Sequence, residues 1–495
     1  MLAAMPPPSS TPFNQGESRI PGTPGALVHE ASSPGRPEPV VRDRGDACPG
    51  ALRLHSADDG RLARLRLPGG ILTNHQIKAL ATAAEQYGDG HLGITSRGNA
   101  ELRGLGDGCG ARLAELLRGA GLLPSERHER IRNIVASPLA GLDGLGHGDL
   151  RPWLRELDAL LCGQDWTTAL SGRFLFVLDD GRGDVAGLGG DVTLLAQPAG
   201  DTAVVRVGTQ ALRVAAADAC RAALAAAHAF LDTASAAGNG AWRVRELPPG
   251  CTVDLAEALE RAGIPAEAVR VSEPVPYGEV GAAAPANPTS VPDMNPAPPA
   301  PGIVAGPDGT YALLVAPVLG RVAARQLRAL AGPAGEVRVT PWRGFVVPGF
   351  GERAARERLR ELGDAGFITA PDSPWTGVGA CTGRPGCAKA LADVRGDALP
   401  GPGGLPVYWS GCERRCGHPQ GDWVDVTATA DGRYTVAVRG TQARQVPVAE
   451  GKLAAAVTTA RSGHAGRRQQ DRAVQQDRTG PGSTRPDAGD GTTTR

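Results

Sequence analysis

Two stretches of the chain carry the same succession of hydrophobic and polar periods. In DDGRLARLRLPGG (residues 58–70), Ala63, Leu65 and Leu67 alternate with Arg64 and Arg66, the period of two expected of a strand with one buried face. The following NHQIKALATAAEQYG sets Ile77, Leu80, Ala81 and Ala84 on one side at helical spacing. LGITSRGNAELRGL then reads as two further strands and ARLAELLRGAGLL as a second helix. The order returns in PDGTYALLVAPVLG (307–320), RVAARQLRALAG, VRVTPWRGFVVPG and ERLRELGDAGFI, with Val322, Gln326, Leu327 and Leu330 in the equivalent helix. Ala365-Gly366 repeats Ala120-Gly121 at an offset of 245. Each half is predicted as strand, helix, strand, strand, helix, one supersecondary unit used twice. The same offset sets Cys381 against Ala136, so RNIVASPLAGLDG corresponds to a later cysteine loop without the thiols.

Proline and glycine mark the boundaries. GAAAPANPTSVPDMNPAPPAPG (281–302) holds seven prolines, which lock φ and resist helix and sheet alike, so it reads as a linker. Residues 1–46 are rich in Pro, Ser and Gly, and residues from about 452 onward are polar with few large apolar side chains. Both are expected to be disordered tails.

Composition narrows the class. Among 495 residues, 41% are hydrophobic, enough for ordinary cores in two to four domains of roughly 100–200 residues each. No apolar run of about 18 residues is present for a membrane span, and MLAAMPPPSSTPFNQ lacks the basic-then-apolar order of a secretory signal. Basic and acidic residues balance at 52 each, which gives no support to bulk nucleic-acid binding. Lysine supplies only Lys78, Lys389 and Lys452 of the basic residues, so a single arginine carries less information here than in a balanced chain. An odd count of nine cysteines argues against a disulfide scaffold and for a reducing cytoplasm.

Four of those cysteines fall within 36 residues, as Cys381-x5-Cys387 and Cys412-x3-Cys416 among Gly, Arg and Lys. Positive charge and backbone N–H groups favour the thiolate that binds metal. The five-residue gap is wide for a structural zinc site, whereas two pairs on loops can supply the four thiolates of a [4Fe-4S] cluster. Zinc and unligated core thiols are the alternatives. Cys48, Cys109, Cys162, Cys220 and Cys251 stand alone and read as small buried hydrophobes or free thiols.

A tandem α/β repeat with cysteine pairs in the later half, spaced x5 and x3, resembles the nitrite and sulfite reductase superfamily over about residues 49–446. The strings CTGRPGCAKALADVRGDA and SGCERRCGHPQGDWVDVTAT look most like its precorrin-3B synthase family. The resemblance implies an α+β fold in which ferredoxin-like half-domains are each followed by an α/β domain, the C-terminal one holding the iron–sulfur cluster. The expected plan is a first half-domain at 47–125, a cluster-free α/β domain at 126–280, the linker at 281–302, a second half-domain at 303–370, a cluster domain at 371–451, and a tail at 452–495. The implied reaction is O2-dependent hydroxylation of precorrin-3A with γ-lactone closure in cobalamin biosynthesis.

By motif, Arg97 in ITSRGN and Arg132 in RIRN match arginines that line the anion face of siroheme reductases, while LSGRFLFVL offers Arg173 and then Leu175 where those enzymes have two lysines. One cation is missing for multi-electron reduction of nitrite or sulfite. Guanidinium groups still suit the carboxylates of a tetrapyrrole, which they bind through paired hydrogen bonds. Arg97, Asn99, Arg103, Arg132, Asn133 and Arg173 are the candidates for that surface.

The resemblance also implies a non-haem iron beside the cluster, for which His418 is a candidate ligand. In the siroheme enzymes the cysteine at the Cys416 position bridges cluster and siroheme. Neither GLGDGCG (104–110) nor Gly451-Lys452 fits a nucleotide loop, so electrons are expected from an external donor, a ferredoxin or an NAD(P)H-dependent reductase. A siroheme-dependent nitrite or sulfite reductase and a zinc-binding structural module are the competing readings.

Overall fold

Each half of the repeat builds an antiparallel sheet, and each lends one strand to the other. The computed structural model describes residues 46, 49–269, 298–419, 421–430, 432–440, 444–446, 448 and 451–462. Most of the expected N-terminal tail, Cys48, residues 281–297 of the expected linker and residues 463–495 lie outside the described residues. The first sheet runs in the order His55–Ala57, Gly60–Leu65, Ala100–Leu105, His91–Ile94, Arg321–Ala323. The second runs Gly302–Ala305, Tyr311–Pro317, Phe345–Phe350, Glu336–Val339, Ile71–Thr73. Arg321–Ala323 from the later half therefore completes the earlier sheet, pairing Val322 with Leu92. Ile71–Thr73 reciprocates by pairing Leu72 with Val337.

The exchange gives the two halves one core. Leu65, Ile77, Leu80 and Leu102 pack in the same buried cluster as Leu313, Val322, Leu327 and Val347. Helix Asn74–Tyr87 is set by a reciprocal cap, in which the Gln76 N–H donates to the Thr73 hydroxyl and the Thr73 N–H to the Gln76 side chain. In the second copy Ala323 stands in place of the threonine, so only half of that cap survives, the Ala323 N–H donating to Gln326 at 2.9 Å. Because the cores are shared, truncating Leu80 or Leu327 removes packing from both halves at once.

The two remaining sheets share a plan. In the first, Ile134–Ala136, Phe176–Asp179 and Val192–Ala196 run parallel, then Thr202–Val207, Gln210–Ala215 and Glu267–Ala268 continue antiparallel. Helices Arg151–Cys162 and Ala219–Ala237 contribute to its core. In the second, Val378–Ala380, Val407–Ser410 and Trp423–Ala428 are parallel, and Tyr434–Arg439 and Arg444–Val446 antiparallel. None of the described helices is long and apolar enough to cross a membrane.

The expected tail from 452 needs correction at its start. Leu453–Ser462 is a helix that packs on the second α/β sheet through Ala456, Val457 and Ala460. Arg461 is 1% exposed and donates to the carbonyls of Leu405 at 3.0 Å and Thr376 at 2.9 Å. The small apolar side chains suffice because the sheet face beneath them is already built from Val424, Val426 and Val436, and peptide carbonyls satisfy the buried guanidinium.

Candidate metal centre and the adjoining arginine surface

The cysteine loops leave the carboxyl ends of adjacent parallel strands, where open α/β sheets place their ligands. Cys381 follows Val378–Ala380, its N–H donating to Trp409 O at 2.9 Å, and Cys412 follows Val407–Ser410 and Gly411. The Gly411 N–H donates to Cys381 Sγ at 3.2 Å, tying the two loops at a sulfur. Burial pushes the Cys416 thiol up, Cys412, Cys381 and Cys387 push it further, and Arg414 opposes them. The other three thiols are therefore all within electrostatic reach of Cys416.

Four thiolates are the donor set of a [4Fe-4S] cluster and equally of a tetrahedral structural zinc. Beside them the Ser410 hydroxyl is fully buried and has no hydrogen-bond partner among the described residues.

A turn and a strand of the first half-domain brace the centre. The Asp58 carboxylate accepts the N–H of Ala388, and Arg103 donates to Gly386 O at 2.6 Å while Asp59 holds its guanidinium at 2.8 and 3.0 Å. Within the cysteine domain, Arg415 donates to buried Asp425 at 2.6 Å, pinning the Cys412–Cys416 loop onto strand Trp423–Ala428. The Tyr408 hydroxyl donates to Cys416 O at 2.7 Å; burial pushes this phenol up to about 12. His418 Nδ1 faces the Pro419 carbonyl at 2.8 Å and its ring stacks on Trp423 at 5.1 Å between centroids.

The six residues expected on the substrate surface separate into groups. Arg97 is partly exposed and donates to Arg173 O at 3.1 Å, while the Arg173 guanidinium lies 4.8 Å from the Trp242 ring centroid. Asn99 and Asn133 are buried and form a relay: Leu67 N–H donates to Asn99 Oδ1, Asn99 Nδ2 to Asn133 Oδ1, and Asn133 Nδ2 to Phe174 O, each at 2.9 Å. They hold the Arg97 and Arg173 loops rather than face solvent. Arg132 is buried and gives both Nε and Nη2 to Asp158 at 2.7 Å, and Arg103 is turned to the cysteine loop. Both arginines leave the Arg97 surface because nearby carboxylates, invisible in the local sequence, claim them.

The first α/β domain stabilises the corresponding strand end differently. Asp179, Asp180 and Asp184 are the described residues that group three ligand atoms within 4.8 Å. Asp179 accepts backbone N–H groups of Gly181, Gly183, Val185 and Ala186, Asp180 pairs with Arg182, and Asp184 accepts from the Ser137 hydroxyl at 2.6 Å. Burial pushes Asp184 up to about 7. Carboxylates and Arg182 occupy the strand end where the other domain carries thiols.

Residues 55–117 match the family model described as the nitrite/sulfite reductase ferredoxin-like half domain. A precorrin-3B synthase from Sinorhizobium sp. is 28% identical over 421 residues, 81% of this chain and 84% of that protein. A ferredoxin–nitrite reductase from Synechococcus elongatus is 37% identical over 127 residues, 24% of this chain and 25% of that one. The structure of Mycobacterium tuberculosis NirA superposes with a TM-score of 0.57 at 18% identity, covering 80% of this chain and 79% of the other. The chain is thus a relative of precorrin-3B synthase with the fold of the nitrite and sulfite reductases.

Proposed function

We propose that this protein is an oxidoreductase of tetrapyrrole metabolism, a precorrin-3B synthase that inserts one oxygen atom of O2 into precorrin-3A and closes a γ-lactone. The observation that carries the reading is the convergence of Cys381, Cys387, Cys412 and Cys416 at one strand edge in a chain related to precorrin-3B synthase over most of its length. Four thiols on the loops of adjacent strands support a [4Fe-4S] cluster there. Bound at that edge, the cluster would supply electrons singly, which no side chain can do. Two electrons and two protons convert the second oxygen atom to water, and an external donor such as a ferredoxin or an NAD(P)H-dependent reductase must deliver the electrons.

The chain's own contribution is to bind and orient. Arg97 and Arg173 present guanidinium groups to the acetate and propionate side chains, and the Asn99–Asn133 relay fixes the loops that carry them. The position that offers a second lysine in siroheme reductases is Leu175, 2% exposed in the core, which supports the synthase over anion reduction. The eight described cysteines are all free, in keeping with a reducing, cytoplasmic setting.

The test is the spectrum of anaerobically purified protein with iron and acid-labile sulfide counts, followed by turnover of precorrin-3A under 18O2. One labelled oxygen in the product supports the synthase. Siroheme bands with nitrite or sulfite turnover return the reading to a reductase, and a colourless zinc protein rejects both.

A further inference from the structure

The later half contains a counterpart of the Arg97 turn. In the earlier half the turn is closed by Thr95 N–H donating to Asn99 O at 2.9 Å and Gly98 N–H to Thr95 O at 3.1 Å. In the later half Thr340 N–H donates to Gly344 O at 2.9 Å and Arg343 N–H to Thr340 O at 3.1 Å. The two turns meet: a Cβ on Gly98 would stand 3.2 Å from Val339 O and 3.6 Å from the Pro341 nitrogen. They reach in different directions. Arg97 donates to Arg173 O of the cluster-free domain, and Arg343 donates to Gly417 O of the cysteine domain at 2.6 Å.

We propose that Arg343 is a second carboxylate-binding arginine of the tetrapyrrole site, receiving acid side chains at the cysteine end of the macrocycle as Arg97 receives them at the other. This deepens the proposed function and rests on it. The guanidinium lies close over two glycines: a Cβ on Gly320 (φ +69°) would stand 2.4 Å from Arg343 Cδ, and one on Gly417 (φ +86°) 2.7 Å from Nη2, so a side chain at either position would have to displace the arginine. Arg343 itself holds φ +62°, a left-handed backbone unfavourable for a non-glycine residue and enriched at ligand sites. Its guanidinium stands 5.5 Å from the ring centroid of Tyr408, whose hydroxyl donates to Cys416 O. Among the described residues Arg343 forms no ion pair, unlike Arg103, Arg132 and Arg415, which all pair with carboxylates. A cation aimed at the cysteine edge without an acidic partner suits an anionic ligand, and the planar fork suits a carboxylate.

The experiment is anaerobic titration of holoprotein with uroporphyrin III, a fully carboxylated tetrapyrrole, and with its methyl ester, followed by fluorescence quenching. Arg343→Gln should weaken uroporphyrin binding by roughly tenfold, as expected for a lost charge-assisted hydrogen bond. Arg343→Lys should recover part of the loss, and the ester should bind all variants alike, with iron and sulfide counts unchanged. Wild-type affinity in Arg343→Gln would overturn the inference while leaving the tetrapyrrole reading intact, as would equal weakening towards the ester. Loss of iron from both variants would reassign Arg343 to holding the Cys416 loop and overturn it too. Absence of uroporphyrin binding by the wild type would reject the tetrapyrrole reading and this inference together.

Discussion

Arg103 donates to the backbone carbonyl of Gly386 at 2.6 Å, joining the first half-domain to the loop between Cys381 and Cys387 across 283 residues of chain. Asp59 orients that guanidinium and Asp58 accepts the Ala388 N–H of the same loop, so the Asp58–Asp59 turn and Arg103 together position the Cys387 corner. Arg103→Ala leaves Asp59 and Glu101 without this partner in a partly buried site. A loss of about 2 kcal/mol in urea unfolding is expected, together with lower iron occupancy per chain. Unchanged iron content and unfolding midpoint would show that the cysteine loop is held without the first half-domain.

Serine at Cys381, Cys387, Cys412 or Cys416 should remove the visible absorption of the proposed cluster. Cys220→Ser should leave it intact, because that thiol is fully buried, burial pushes it up, and it contacts Trp153 O at 3.3 Å far along the chain from the cysteine loops. Iron and sulfide analysis distinguishes the two classes. A full cluster retained in any of the four variants would remove that cysteine from the ligand set.

Truncation should be tolerated up to the end of the last described helix and no further. Removing residues 463–495 is expected to leave thermal unfolding unchanged. Removing residues 453–495 uncovers the apolar face formed by Val424, Val426 and Val436 and should lower the midpoint by several degrees. Arg461→Ala alone should cost about 2 kcal/mol through its lost carbonyl hydrogen bonds. Equal midpoints for both truncations would show that the helix adds nothing to the domain.

Asp184 gives a pH signature. Burial raises its pKa from 3.8 to about 7 despite the Ser137 hydrogen bond. The folded state therefore binds a proton that the unfolded state releases, and the stabilisation from this group is full below about pH 4 and lost as pH rises through 7. At pH 8, Asp184→Asn should be more stable than wild type by up to about 4 kcal/mol, at about 1.4 kcal/mol per pKa unit. The wild-type decline between pH 4 and 7 should flatten in the variant. Parallel stability–pH curves for the two proteins would place the charge of Asp184 in a solvated environment.

The sequence by itself determined the local units, because these depend on short-range periodicity and cysteine spacing. The alternation of Ala63, Leu65 and Leu67, the helical side of Ile77, Leu80 and Ala84, and the grouping of the later thiols were all legible along the chain. So was the repeat, and with it the resemblance to precorrin-3B synthase. The reciprocal loan of Ile71–Thr73 and Arg321–Ala323 was not, because a strand's own alternation is the same whichever sheet accepts its N–H and carbonyl groups. Arginine roles were equally hidden. Arg132 finds Asp158 on a helix 26 residues later and Arg103 finds Gly386 after 283, contacts that no local motif encodes. Arg343 was not legible in the repeat either, because aligning ITSRGN with VTPWRGF on Thr95 and Thr340 sets Arg97 against Trp342 and Gly98 against Arg343. The helix Leu453–Ser462 escaped notice because its small apolar side chains give little periodic contrast until the sheet beneath them exists. Pattern and composition thus set which segments fold and which chemistry they carry, while partner choice for each strand edge and each guanidinium was decided by the three-dimensional neighbours that folding supplies.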